Sequence, residues 1–256
     1  MKKLYSLFLF AFVFSLPDLL AWGPQGHRIV ASVAYQYLTP RARKHVDDIL
    51  GTRGIIYYST WPDEIKNDTI YPTSYDWHFQ NLSSGLSDSA LIAMLTDYPS
   101  HVGNLFRVTD SLTTLLTTDR TNHDALVFLV HFVGDRCCPT HVAHEDDKGG
   151  NMVKMKWFGR NTNLHTVWDT YLIEYVGFSC SEYATYLIDT YGHQRRQIEA
   201  LSREDELRHT YNVVSEIYDY QYDGNAYHYA YHWKNTLNYQ LYLAGVKLAQ
   251  VLNVLY

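Results

Sequence analysis

The chain has 256 residues, 46% of them hydrophobic and 19% charged, with 21 basic against 27 acidic residues for a formal charge of −6. That length and apolar content suit one domain with a sizeable core rather than a disordered chain. The acidic balance and the lack of any Lys/Arg run exclude a nucleic-acid surface built from basic side chains, so phosphate recognition would need another positive charge, such as bound metal.

Lys2 and Lys3, the apolar run Leu4 to Phe14 and the small residue Ala21 before Trp22 form the pattern of a secretory signal peptide over residues 1–21, too short for a membrane span. Cleavage between Ala21 and Trp22 is expected to leave 22–256 as the working domain, secreted or periplasmic. Removing Lys2, Lys3 and Asp18 leaves 19 basic and 26 acidic residues, a charge of −7. Trp22-Gly23-Pro24-Gln25-Gly26-His27 then opens the mature chain. Ile29, Val30, Val33, Ala34, Tyr37 and Leu38 recur at helical spacing, which puts His27 at the start of a buried helix. Thr39-Pro40 reads as an N-cap with proline in the first turn, beginning a second helix that reaches about Leu50.

Residues 51–80 read as irregular and contain Trp61-Pro62-Asp63-Glu64-Ile65-Lys66 and Trp77-His78-Phe79. A short helix is expected over Ser87 to Tyr98. A longer one over His101 to Thr117 carries Val102, Leu105, Val108, Leu112 and Leu115 on one face. From about Asn122 to Asp135 the chain is apolar almost all round, as a central helix would be. A polar, Gly-rich loop follows over 142–151, and the alternation from Met152 to Trp157 predicts a strand of a short hairpin. Helical periodicity resumes at Asn163, and three more helices are expected over Ser181 to Tyr191, Arg203 to about Tyr220 and His232 to Leu255. No internal repeat, low-complexity tract or linker interrupts this, and the fold class is all-α: a single compact multi-helix domain with at most a short β-hairpin. No later stretch reads as transmembrane, since Asn238, Gln240, Lys247 and Gln250 break the apolar C-terminal segment. Neither stable membrane association nor an obligate protein partner is expected.

The chemistry concentrates between His131 and Asp169. His131 and Asp135 are spaced i and i+4, as are His165 and Asp169, so on a helix each pair presents two ligands from one face. His141 lies between the pairs. Imidazole with carboxylate is a set that zinc accepts, and two pairs plus a further His exceed what one tetrahedral ion needs, so more than one metal is implied. One helix cannot surround an ion, and His27, Asp63 and His78 are the outlying candidates. The remaining histidines, His144 among them, read as structural. Cys137, Cys138 and Cys180 are too few for a disulfide scaffold; one bridge is possible in an exported protein, most readily between Cys180 and one of the adjacent pair. The 23 tyrosines read mainly as aromatic filling between helices. Asn67-Asp68-Thr69 and Asn81-Leu82-Ser83 are glycosylation sequons, which matter only in a eukaryote.

The motifs WGxxGH at Trp22, WPDxIK at Trp61, WHF at Trp77, HFVGD at His131, PxH at Pro139, GGN at Gly149, NLHxxWD at Asn163 and AGxKLAxxLN at Ala244 span essentially all of 22–256. In them the chain resembles the zinc-dependent phospholipase C and single-strand-specific nuclease superfamily, and within it the S-one/P-one type that includes the plant bifunctional nucleases. The resemblance implies three zinc ions. One is held by Asp63, His78, His131 and Asp135, and Asp135 bridges to a second held by His27 and by the freed α-amine and carbonyl of Trp22. The third takes His141, His165 and Asp169. It further implies endonucleolytic hydrolysis of single-stranded DNA and RNA to 5′-phosphate products by attack of a metal-activated water, with 3′-nucleotidase activity, and Asp63 and Asp135 as the catalytic carboxylates. Phe79 is the candidate base stack, Lys66 the candidate phosphate contact, and Asn151 a candidate hydrogen bond near the scissile group.

Cys137-Cys138 stands where the nucleases usually have His-Gln. The His absent there is not a carried-over ligand, so the zinc count is expected to survive. A cysteine beside zinc can also ligate it, but the neighbouring set looks complete without one. Two other functions compete. A lipid-cleaving phospholipase C shares the metal scaffold, although that branch has Glu where Asp169 stands and a longer gap from the terminal Trp to the first His. A non-catalytic zinc-binding relative with a closed site is the other.

Overall fold

The computed structural model describes residues 22–66, 68–97 and 103–256. The expected signal peptide, Asn67 of the first sequon, Tyr98 and the stretch from His101 to Val102 lie outside the described residues.

Helix α1 (Pro24–Tyr37) has Pro24 in its first turn and buries Ile29, Val30, Val33 and Ala34. Thr39 caps α2 (Pro40–Leu50) by accepting from the Ala42 amide at 3.1 Å, as its sequence predicts. The stretch expected to be irregular instead holds α3 (Gly54–Tyr58), α4 (Trp61–Ile65) and a 3₁₀ turn over Ser74–Trp77. Elements of one or two turns are too short to show periodicity, and packing rather than propensity holds them. Ser87 caps α5 (Asp88–Ala93), which is shorter than expected. Helix α6 (Leu105–Thr118) follows.

Asn122 caps α7 (His123–Arg136), and every residue of α7 from Ala125 to Asp135 is buried. This is the central helix, and it joins two apolar clusters. Val127, Val130 and Val133 belong to the larger one with α1, while Phe128 and Phe132 belong to a smaller one with Leu105 and Phe106 of α6.

The hairpin extends the single strand expected from the sequence into two, β1 (Lys154–Trp157) and β2 (Arg160–Asn163), antiparallel with Lys154 opposite Asn163 and Trp157 opposite Arg160. Phe158 and Gly159 close it with φ of 45° and 81°, the positive angles that a tight two-residue hairpin loop demands. Next, α8 (Leu164–Thr166) runs through a π-helical turn over Val167–Tyr171 into α9 (Leu172–Tyr175). Two Ser-based capping boxes begin α10 (Cys180–Tyr191) and α12 (Arg203–Asp219). Between them lies α11 (Arg195–Ala200), absent from the sequence reading. The last helix, α13 (Ala226–Leu255), starts earlier than expected because Asn225 accepts from the Tyr227 and His228 amides.

Helix α13 packs along α1 so closely that a Cβ on Gly245 would lie 2.5 Å from Val33, which explains the glycine in the AGxKLAxxLN motif. The fold is thus all-α with one short hairpin. None of the described helices is long and apolar enough to cross a membrane.

Candidate metal centre and adjoining cavity

Asp135, near the C-terminal end of α7, is the hub. It is fully buried, and its carboxylate oxygens lie 3.3 Å from His27 Nε2, 3.4 Å from both His78 Nδ1 and His131 Nε2, and 4.0 Å from His141 Nδ1. Asp63, on the short α4, approaches His78 Nδ1 at 3.6 Å and His131 Nε2 at 3.8 Å. His141 Nε2 lies 4.0 Å from Asp169 Oδ1, and the His165 ring is 5.0 Å from that of His141. Residues drawn from six separate segments therefore meet in one place, although the i/i+4 spacing alone linked only two pairs.

Local backbone geometry orients the imidazoles. His131 Nδ1 donates to the Ser59 carbonyl at 2.7 Å, His141 Nδ1 to the His78 carbonyl at 2.5 Å, and His165 Nδ1 to the Gly149 carbonyl at 2.9 Å. Each such bond fixes the ring and its tautomer, leaving Nε2 as the lone-pair nitrogen suited to a metal. His27 stacks on His131 with centroids 3.6 Å apart, and Gly134 makes room for it: a Cβ there would lie 3.3 Å from His27 Nδ1. The Trp22 indole is fully buried and donates to the Gly134 carbonyl at 2.9 Å. The Gly23 amide donates to the Asp169 carbonyl at 2.8 Å, which ties the start of the described chain to the π-helical turn.

Three carboxylates and several imidazoles sit in this buried space, and their protonation reflects it. Burial holds His131 down to about 3, with the Lys66 ammonium adding to the fall and the Ser59 bond opposing it. Burial and the neighbouring imidazoles keep His27 and His78 well below the usual imidazole range. Burial, then the Asp63 charge, pushes Asp135 and Asp169 well above the usual carboxylate range. A divalent cation among them inverts that preference by favouring the ionised carboxylates.

The donor set fits a metal on its own chemistry. Neither Asp135 oxygen accepts a hydrogen bond, and His27 Nε2 and Asp169 Oδ1 likewise lack a hydrogen-bond partner among the described residues. Orphaned buried groups are costly in a folded protein and are expected where a ligand completes them. Three trios have ligand atoms within 4.8 Å of one another: His27, Asp63 and His131; His78, His131 and Asp135; and Cys138, His141 and Asp169. The first two overlap the expected grouping without reproducing it. The third has Cys138 where the resemblance implies His165.

Against the centre opens a cavity of 460 Å³ lined by Lys66, Tyr75, His78, Phe79, Asn81, Thr140, His141, Glu145, Asp146, Lys148, Asn151 and His165. All three expected substrate contacts, Lys66, Phe79 and Asn151, are in its wall. Phe79 is held by its carbonyl, which accepts from the Asn104 and Leu105 amides at the start of α6 at 3.1 and 3.2 Å. Gly103 permits this at φ 114°, since any Cβ would meet the Phe79 carbonyl oxygen at 2.1 Å. Lys66 Nζ is 3.7 Å from Asp63 Oδ1 and only 4% exposed. The Asn151 amide is partly committed, donating to the Lys148 carbonyl at 2.7 Å. In the GGN motif, Gly149 adopts φ 66° with its α-carbon so near the Thr140 carbonyl oxygen that a Cβ would stand 2.5 Å from it.

Sequence reasoning missed Tyr75, whose ring meets Phe79 edge-on at 5.9 Å. It sits four residues before Phe79, and the 3₁₀ turn at Ser74–Trp77 that brings them together carries no periodic signal. Asn81, read only as a sequon, is in the cavity wall. The amides of its neighbours Gln80 and Leu82 donate hydrogen bonds to the His141 and Ala143 carbonyls at 2.9 and 2.8 Å. His144 leans on Tyr218 at 4.0 Å and does not line the cavity. All three cysteines are free thiols, so the bridge held possible from the sequence does not form. Cys137 and Cys138 are buried around α7 while Cys180 begins α10.

The all-α scaffold gathers five histidines and three aspartates beside a cavity, a donor set that could hold metal. A family model described as S1/P1 Nuclease matches residues 22–256, and the chain belongs to that family. It is similar to Endonuclease 2 of Arabidopsis thaliana, 27% identical over 179 residues that cover 63% of this chain and 59% of the relative. Nuclease P1 of Penicillium citrinum is 29% identical over 160 residues, 59% of this chain and 58% of the relative. Nuclease S1 of Aspergillus oryzae is 28% identical over 172 residues, 64% and 60%. The chain thus spans about three-fifths of the length of the curated relatives it matches.

Proposed function

We propose that this chain is a zinc-dependent nuclease, exported after cleavage between Ala21 and Trp22. It hydrolyses single-stranded DNA and RNA endonucleolytically to 5′-phosphate products and acts on 3′-nucleotides. Three ions would be held by Asp63, His78, His131 and Asp135; by His27, Asp135 and the Trp22 amine and carbonyl; and by His141, His165 and Asp169. Bound there, such ions lower the pKa of water and neutralise charge that builds on a phosphodiester.

The chain's own residues do the rest. Asp63 bounds the centre on the side where Lys66 meets the cavity, so its carboxylate is suited to orient the attacking water. The Lys66 ammonium offers charge-assisted bonds to a phosphate oxygen. Phe79, with Tyr75 at its edge, offers a ring face to a nucleobase. Only an unpaired base can leave its stack to occupy such a face, which gives the single-strand preference its physical reason. The Trp22 amine becomes a free group only on cleavage, so export and activity are coupled.

One observation supports this reading above the rest: both Asp135 oxygens, Asp169 Oδ1 and His27 Nε2, buried and without hydrogen-bond partners among the described residues, belong to a centre that adjoins a cavity walled by aromatic rings and lysines. The test is to purify the chain beginning at Trp22, measure its zinc, and compare nucleotide release from single-stranded and duplex DNA with release from phosphatidylcholine. The expected outcome is zinc content with preferred cleavage of single strands. Dominant lipid hydrolysis would move the chain to the phospholipase branch, and zinc without turnover of any phosphate ester would make it a non-catalytic relative.

A further inference from the structure

Cys138 is fully buried beside the centre and has no part in the three ligand sets proposed above for the ions. Its Sγ, a ligand atom of His141 and a ligand atom of Asp169 lie within 4.8 Å of one another. Two backbone bonds hold it there: its amide donates to the Asp135 carbonyl at 2.9 Å, and its carbonyl accepts from the His141 amide at 3.0 Å. The cysteine therefore sits in the turn that carries the chain from the hub carboxylate to the next imidazole. Its Sγ also lies 3.3 Å from Thr140 Oγ1.

A second, independent feature points to a ligand at the same place. Asp169 is 2% exposed, and its Oδ1 has no hydrogen-bond partner among the described residues. Zinc is borderline-soft and takes thiolate sulfur together with imidazole and carboxylate.

We infer that Cys138 supplies a sulfur ligand to the ion held by His141, His165 and Asp169. The inference rests on the metal-centre reading and deepens it. With Cys138 the protein ligands of that ion number four, the count of a closed tetrahedral site. An ion so held would fasten the Pro139–His141 turn to the π-helical turn that carries Asp169. Cys137, the preceding residue, turns its Sγ toward Glu206 at 3.8 Å and serves as the control.

The experiment begins with the unaltered chain starting at Trp22. X-ray absorption at the zinc edge should show a sulfur shell at about 2.3 Å, and the cobalt-loaded protein should show a thiolate-to-cobalt charge-transfer band. Cys138→Ser should lose both signals and keep the ligand-field bands of the remaining cobalt, whereas Cys137→Ser should keep both. Metal bound through nitrogen and oxygen alone would overturn the sulfur ligand and leave the metal centre standing. A chain that binds no metal would overturn both. A sulfur shell that survives Cys138→Ser, or disappears only in Cys137→Ser, would overturn the assignment to this residue. Because the first measurement needs no substitution, a poorly folding variant does not shield the inference.

Discussion

The floor of the site and its rim are built in different ways. The floor is α7, buried without a break from Ala125 to Asp135, with His131 and Asp135 held between two apolar clusters. The rim is made of short turns: the end of α4 at Lys66, the segment from Tyr75 to Asn81, and the loop from Thr140 to Asn151. The floor is fixed by close packing, which tolerates little displacement. Individual backbone hydrogen bonds and glycines at positive φ hold the rim. His131 and Asp135 thus stand on the rigid element, whereas His78, His141 and the candidate substrate contacts stand where the chain changes most easily.

The comparison predicts large effects below and graded ones above. Asp135→Asn should cost the most, because a neutral amide at the hub weakens every ion that it touches. Metal content should fall together with activity, the latter by at least about a hundredfold, the upper end for disturbing the shell around a metal. Full zinc occupancy in that variant would refute the bridging role. An extra alanine ahead of Trp22 should remove the terminal amine from its ion and cut activity by roughly tenfold or more; undiminished turnover would show that the terminus plays no part.

Chelation tests the floor without a substitution. A ligand present at a thousand times its dissociation constant adds about 4 kcal/mol to stability, so stripping the metal should lower the melting temperature by roughly 10 °C for a domain of this size. A melt that chelation leaves unmoved would mean that the ions do not hold the floor together. At the rim, Phe79→Ala should raise KM with little change in kcat, by about tenfold for a stack worth 1–3 kcal/mol. A fall in kcat alone would make Phe79 a packing residue instead. Smallest should be Asn151→Ala, a few-fold loss at most, since its amide already serves the Lys148 carbonyl.

The same division explains what could be read from the sequence. The i/i+4 pairing on α7 and the cap at Thr39 depend on neighbours close in the chain, and both stand in the structure as expected. The shared location of His27, Asp63 and His78 rested on motif resemblance, because their approach to Asp135 is tertiary. At the rim, Phe79 and Lys66 were legible for the motifs that contain them. Tyr75 and the wall position of Asn81 were not, since both depend on how two loops pair across the cavity. The short helices α3, α4 and α11 escaped for a related reason: their few apolar residues face a core assembled by other segments.

The π-helical turn at Val167–Tyr171 carries one more consequence. Asp169 lies inside it, four residues after His165, where a regular helix would have wound more tightly. Deleting a single residue there would restore an ordinary helix at little backbone cost, yet swing everything downstream by about 100° around the axis. Sequence drift in this family should therefore tolerate swaps of side chain within that turn far better than any change in its length, and homologues that lack the extra residue should have lost the carboxylate's partner as well.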